Sequence, residues 1–224
     1  MWGGKCEIRV KSAKSSPKST PHTSHFTPQK SNLSNILNIE ELMTFKEELY
    51  NNFVQDFSVA LRQKITDLEI SKLIFLCIGT DRVTGDSFGP LVGYKLKYLF
   101  REEENIKVIG NLDNIVCAHN ILSIINDINN TYKEYFLIAI DAALSNKNQI
   151  GKIVVSNSGM NVGSGLNKRN IYVGDMSIKG IVSKDLINPK YNFKLLQNTR
   201  LRFSNEYGRL CSSRNLWCNK CINI

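Results

Sequence analysis

Two aspartates stand where a carboxylate could do chemistry. Asp141 closes the apolar run Tyr135-Phe-Leu-Ile-Ala-Ile140. A carboxylate at the end of such a strand is partly stripped of water, which raises its pKa and suits it to acid or base work. Its bland alternative is a cap on the next turn. Asp86 lies in the polar loop Gly79-Thr-Asp-Arg-Val-Thr-Gly-Asp-Ser-Phe-Gly-Pro90, which follows the apolar run Leu73-Ile-Phe-Leu-Cys-Ile78. It could cap a helix beginning near Phe88, or point into a crevice beside Asp81. Carboxylates that share a proton titrate as a pair, one high and one low, and can activate water for attack on a carbonyl. The same acids could instead hold a hard divalent cation, but neutral His ligands for zinc or nickel are missing nearby.

Other motifs point less far. Gly79, Gly85, Gly89 and Gly93 form no phosphate-loop pattern, and Asp81 and Asp86 would repel phosphate. Tight turning and close helix packing is the expected use of these glycines. Cys211, Cys218 and Cys221 lack the fourth ligand that structural zinc takes. Of the three histidines, His22 and His25 fall in a polar tail and His119 opens a helix, so no Ser-His-Asp or Cys-His arrangement is read from the sequence. No cofactor is expected.

The elements that would position the acids alternate. Strands are expected at 73–78, 106–109, 135–140 and 150–155, with a further short strand or edge segment at 176–182. Helices are expected at 88–100, 118–128 and 193–203. Strand–helix alternation implies a three-layer α/β/α domain with a mostly parallel sheet. In such sheets ligands bind beyond the carboxyl ends of the strands, which selects the loop after the first strand and the end of the strand at Asp141.

The chain has 224 residues, enough for one domain with tails. Residues 1–37 are expected to be a disordered basic tail, too polar to bury a core. Residues 38–66 carry Leu42, Phe45, Leu49, Phe53, Phe57 and Leu61 at mostly helical steps and read as an amphipathic helix packing on the domain. Residues 67–205 form the domain, and 206–224 an irregular tail. The formal net charge of +9 sits in the ends, while residues 36–199 hold 18 basic and 18 acidic residues. A neutral core with basic tails excludes a nucleic-acid-binding fold as the expectation. No secretory or membrane-spanning segment is read, so a cytoplasmic protein with free thiols is expected.

The loop Cys77-Ile-Gly-Thr-Asp-Arg-Val-Thr-Gly-Asp-Ser-Phe-Gly-Pro-Leu-Val-Gly93 closely resembles the signature of YyaC-type sporulation proteins of Gram-positive spore formers. Gly110-Asn-Leu-Asp113, Ala139-Ile-Asp-Ala142, Val173-Gly-Asp-Met-Ser-Ile-Lys-Gly-Ile-Val182 and Leu196-Gln-Asn-Thr-Arg-Leu201 match in the same order, so the resemblance covers roughly 70–203. That group is similar to germination proteases and, more distantly, to hydrogenase maturation proteases. The resemblance implies their phosphorylase/hydrolase-like α/β fold and an aspartate-dependent peptidase of sporulation or germination, with Asp86 and Asp141 catalytic. Thr80, Asp81, Gly85, Asp113, Gly174 and Asp175 are expected to line the crevice. The implied setting is the mother cell, forespore or spore core, and the implied partner is a protein or peptide substrate, with no specific nucleic acid and no membrane. In the hydrogenase proteases the matching acids bind nickel together with a His, and no corresponding third ligand is seen here. Where the family usually has a His, this chain has Cys117, with His119 two residues on. The alternative function is a non-catalytic binding or regulatory sporulation protein on the same fold.

Overall fold

The computed structural model of the protein describes residues 36–38, 70–162, 171–186 and 188–201, together with residues 58, 59, 61, 64, 204 and 205. In chain order the strands are β1 (Ile36–Asn38), β2 (Lys72–Cys77), β3 (Ile106–Ile109), β4 (Tyr135–Ser145), β5 (Lys152–Ser156), β6 (Met160–Val162), β7 (Ile171–Val173) and β8 (Met176–Lys184). The helices are α1 (Phe88–Leu99), α2 (Ile121–Thr131) and α3 (Pro189–Gln197).

Six strands form one sheet in the order β1-β5-β8-β4-β2-β3. β2 runs parallel to β3 and β4, and β4 parallel to β8. β5 and β1 add on antiparallel, a common way to finish one edge of a parallel sheet. β2 and the first half of β4 are continuous apolar runs because both of their faces are covered.

On one face, Phe88, Val92 and Leu96 of α1 recur every four residues and pack on Phe75, Cys77, Ile138 and Ile140, joined by Leu196 of α3 and by the fully buried Leu61. On the other face, Ile121 and Ile128 of α2 and the β6–β7 hairpin cover Ile74, Leu76, Leu137 and Ala139. The α/β/α layering is therefore as expected, with a small hairpin beside α2 that had no expected element. α1 approaches the sheet closely enough that its glycines are required. A methyl on Gly89 would lie 1.9 Å from the Ile78 carbonyl oxygen, and one on Gly93 the same distance from that of Gly110.

Several expected boundaries differ. The segment at 176–182, read as short or an edge, is a nine-residue strand in the middle of the sheet, between β4 and β5. Its Lys179 and Gly180 disguise an otherwise buried strand. α2 starts at Ile121 because Asn120 organises the preceding turn, accepting from the Cys117 N–H and donating to the Ile115 carbonyl, both at 2.8 Å. Of the tail expected over 1–37, Ile36 and Leu37 are described, and with Asn38 they pair with β5. Residues 58, 59, 61 and 64 of the expected 38–66 helix are helical. The 206–224 tail and its three cysteines lie outside the described residues.

Candidate active site

Asp141 does not end its strand. β4 continues to Ser145, and Asp141 sits in register with Lys179 of β8. What ends is the neighbour on the other side, since β2 stops at Cys77, opposite Ile140. Ile78 N–H still bonds to the Ile140 carbonyl at 2.7 Å, and the chain then leaves the sheet. Residues 78–83 of that departing loop and 141–145 of β4 line one groove. Side chains alternate along a strand, so Asp141 follows Leu137 and Ala139 onto the α2 face.

Asp86 reaches the same groove from the loop after β2. It does not cap α1, because Ser87 occupies that position and makes no side-chain cap. Asp86 belongs instead to a single 3-10 turn, Thr84–Ser87. Its N–H donates to Val83 at 2.8 Å, and its carbonyl accepts from the Thr80 N–H at 3.1 Å. Ser87 Oγ closes the turn on the Thr84 carbonyl at 2.6 Å. The turn is thus held by main-chain bonds and by Ser87, and Asp86 lines the groove.

Both carboxyls hold their protons unusually well. Burial pushes Asp86 up to about 6 from an ordinary 3.8, against a smaller opposing effect of the Thr80 backbone hydrogen bond. Asp141 is raised well above the usual carboxylate range, first by burial and then by the charge on Asp86, while the Ala142 N–H and the Lys179 charge act the other way. With Asp86 ionised, its charge helps Asp141 to keep its proton, so the two carboxyls hold one proton between them over a range of pH.

The same shift predicts a stability effect. The folded protein keeps a proton on Asp86 at pH values where the unfolded chain has lost it, so folding loses stability as pH rises from the unfolded value of 3.8 through about 6. Asp86→Asn should therefore stabilise the fold near pH 8, by on the order of 2 kcal/mol, and give no advantage near pH 4. Thermal melts of both proteins at the two pH values check this.

Thr80 and Asp81 line the groove beside Asp86 and Asp141. Four residues expected there do not. Gly85 is buried under α3, where a methyl would lie 2.8 Å from the Leu196 carbonyl. Asp113 is turned outward, because the buried Asn111 caps its loop by accepting from the N–H groups of Asp113 and Asn114. Its carboxylate pairs with Lys97 at 3.6 Å on the surface. Gly174 and Asp175 precede β8, and β8 is parallel to β4, so they lie at the opposite end of the sheet. There Asp175 accepts from the Leu137 N–H at 2.8 Å.

Two other groove residues were not singled out from the sequence, Lys179 from within β8 and Asp185 from the residue after it, while Cys117 and His119 reach the groove from the turn before α2. Cys117 Sγ lies 3.9 Å from His119 Nδ1. Lys179 carried a signal that could have found it, a lone charge inside the run Met176-Ser-Ile-Lys-Gly-Ile-Val182. Among the described residues no group of three or more His, Cys, Asp or Glu side chains is arranged to hold a metal ion. Nor is any described helix long and apolar enough to cross a membrane.

Comparison with known proteins gives the relatives. The family described as "Protein of unknown function (DUF1256)" matches residues 45–213. The chain is similar to the Bacillus subtilis (strain 168) protein described as "Uncharacterized protein YyaC", with 40% identity over 129 residues, 58% of this chain and 60% of that relative's length. Among solved structures it is similar to the NiFe hydrogenase maturation protease HycI from Thermococcus kodakarensis KOD1, with 15% identity, 60% of this chain and 99% of that chain covered, and a TM-score of 0.37.

Proposed function

The chain belongs to the DUF1256 family, and from that premise we propose that it is an aspartate-dependent peptidase in which Asp86 and Asp141 work as one acid–base pair. The observation that carries this reading is electrostatic. The two carboxyls come from the loop after β2 and from within β4, line one groove and both hold protons above the ordinary range, with the charge on Asp86 raising Asp141.

The chemistry is that of two acids sharing one proton. The ionised carboxylate takes a proton from a water held between the pair, and the water oxygen attacks the peptide carbonyl carbon. The protonated carboxyl gives its proton to the carbonyl oxygen. The tetrahedral intermediate then collapses, the C–N bond breaks, and the amine leaves with a proton returned from the pair. The groove has apolar walls, including Leu122 and the 42%-exposed Phe193, which suits an extended peptide with apolar side chains. The likeness of the loop motif to YyaC-type sporulation proteins supports a sporulating or germinating cell as the setting.

Cleavage of a peptide mixture or of small spore proteins, with and without divalent metal, tests the reading. Because the pair needs one proton and one charge, activity should fall as pH drops below about 6, where Asp86 takes up a proton. A rate that stays flat from about pH 4 to 8 would contradict the assignment.

One observation favours a second reading, a binding protein on the same fold. Cys117 stands where the resembling family usually has a His. Against it, His119 brings an imidazole to the same wall of the groove. Absence of any cleavage, with retained capture of a spore protein, would favour this alternative.

A further inference from the structure

Lys179 is a cation in an unusual place. It lies in the central strand β8, flanked by the buried Ile178 and Gly180. It stands in register with Asp141 on the adjacent parallel strand, and register partners in parallel strands present their side chains on the same face. Both line the groove. Among the described residues Lys179 makes no ion pair within 4 Å. Its other row neighbour, Val154 of β5, is apolar.

We propose that Lys179 is the positioning residue of the acid pair: its charge, set beside Asp141 on the same face of the sheet, offsets that of Asp86 so that Asp141 can release the proton it carries. This rests on the peptidase reading for its purpose but not for its test. An acid in a desolvated groove beside an anion, with no cation nearby, would hold its proton too firmly to give it to a substrate carbonyl. A lysine fixed by strand register prevents this without touching the substrate. The other ionisable groups lining the groove are Asp81, Arg82 and Asp86 from the β2 loop, Cys117 and His119 from the turn before α2, and Asp185 after β8. Of these, Asp86 is the one whose charge acts on Asp141, and it acts in the opposite direction to Lys179.

The test is a carbon-13 NMR titration of the Asp141 carboxyl in the full chain, wild type against Lys179→Met and Lys179→Arg, with thermal melts to show that each variant folds. Lys179→Met should move the Asp141 titration upward by on the order of half a pH unit, the size of a charge effect across one strand spacing in partly hydrated surroundings. Lys179→Arg should leave it near the wild-type position. In the cleavage assay the alkaline limb of the pH profile, where Asp141 loses its proton, should move upward with Lys179→Met and be restored by Lys179→Arg. An Asp141 titration unchanged in Lys179→Met overturns the proposal. The titration reads the pair whether or not the protein cleaves peptides, so failure of the peptidase reading shows separately, as absent cleavage with an intact Lys179 effect.

Discussion

Asp141→Asn and Asp86→Asn each lower peptide cleavage by about 1,000-fold or more while the protein remains folded. Asparagine keeps the shape of the side chain but can neither take a proton from water nor return one to the leaving amine. The two acids act on the same water and share the same proton, so their losses do not add. The double variant should be no more than a few-fold worse than either single one. The fold should survive because the one main-chain hydrogen bond each carboxylate accepts, from Thr80 or Ala142, can also be accepted by an Asn side-chain oxygen. Asp86 holds its turn through its main chain, bonded to Thr80 and Val83, and the strand around Asp141 is secured by its backbone pairing with β8. Single-turnover cleavage assays on variants of checked melting temperature measure this. Near wild-type activity in either variant would remove the pair from the mechanism.

The second large effect is on the scaffold. Gly89→Ala places a methyl 1.9 Å from the Ile78 carbonyl oxygen, which is backbone and cannot rotate aside. α1 must then move off the sheet, opening the contacts of Phe88, Val92 and Leu96 with the core. Overpacking of this kind costs about 3 kcal/mol, and for a domain of this size that lowers Tm by roughly 6–12 °C. Asp86 lies three residues before Gly89, so the turn that aims it moves too, and cleavage should fall with stability. Lys97→Ala on the same helix is the control. It breaks only the exposed 3.6 Å pair with Asp113 and should change stability by less than about 1 kcal/mol. A melt of Gly89→Ala indistinguishable from wild type would show that the helix has room the packing denies.

Much of this was legible in the sequence because burial on both faces leaves an unbroken apolar run, as in Leu73–Ile78 and Tyr135–Ile140, and because a carboxylate directly after such a run has few structural uses. Other parts were not legible, for physical reasons. Asp113 and Asp175 sit in motifs as distinctive as that of Asp86, yet one is turned outward by the Asn111 cap and the other ties β8 to the start of β4. Sequence spacing does not say at which end of a strand a residue stands until the order and direction of the strands are known. β8 follows a hairpin and enters the middle of the sheet, so its first residues lie far from the groove while Lys179, three residues into the strand, reaches it. Asp141 was placed at a strand end, when the end that matters belongs to β2. The register of β2 against β4, a long-range property, creates the opening.

The most direct measurement is the carboxyl titration of Asp141 in the wild type and in Asp86→Asn. If the two acids face one another across the groove, Asp141 titrates well above 3.8 in the wild type and moves downward once the charge at position 86 is gone. An Asp141 that titrates like an ordinary surface aspartate, or one whose titration ignores the change at Asp86, would mean that the two carboxyls do not form a pair.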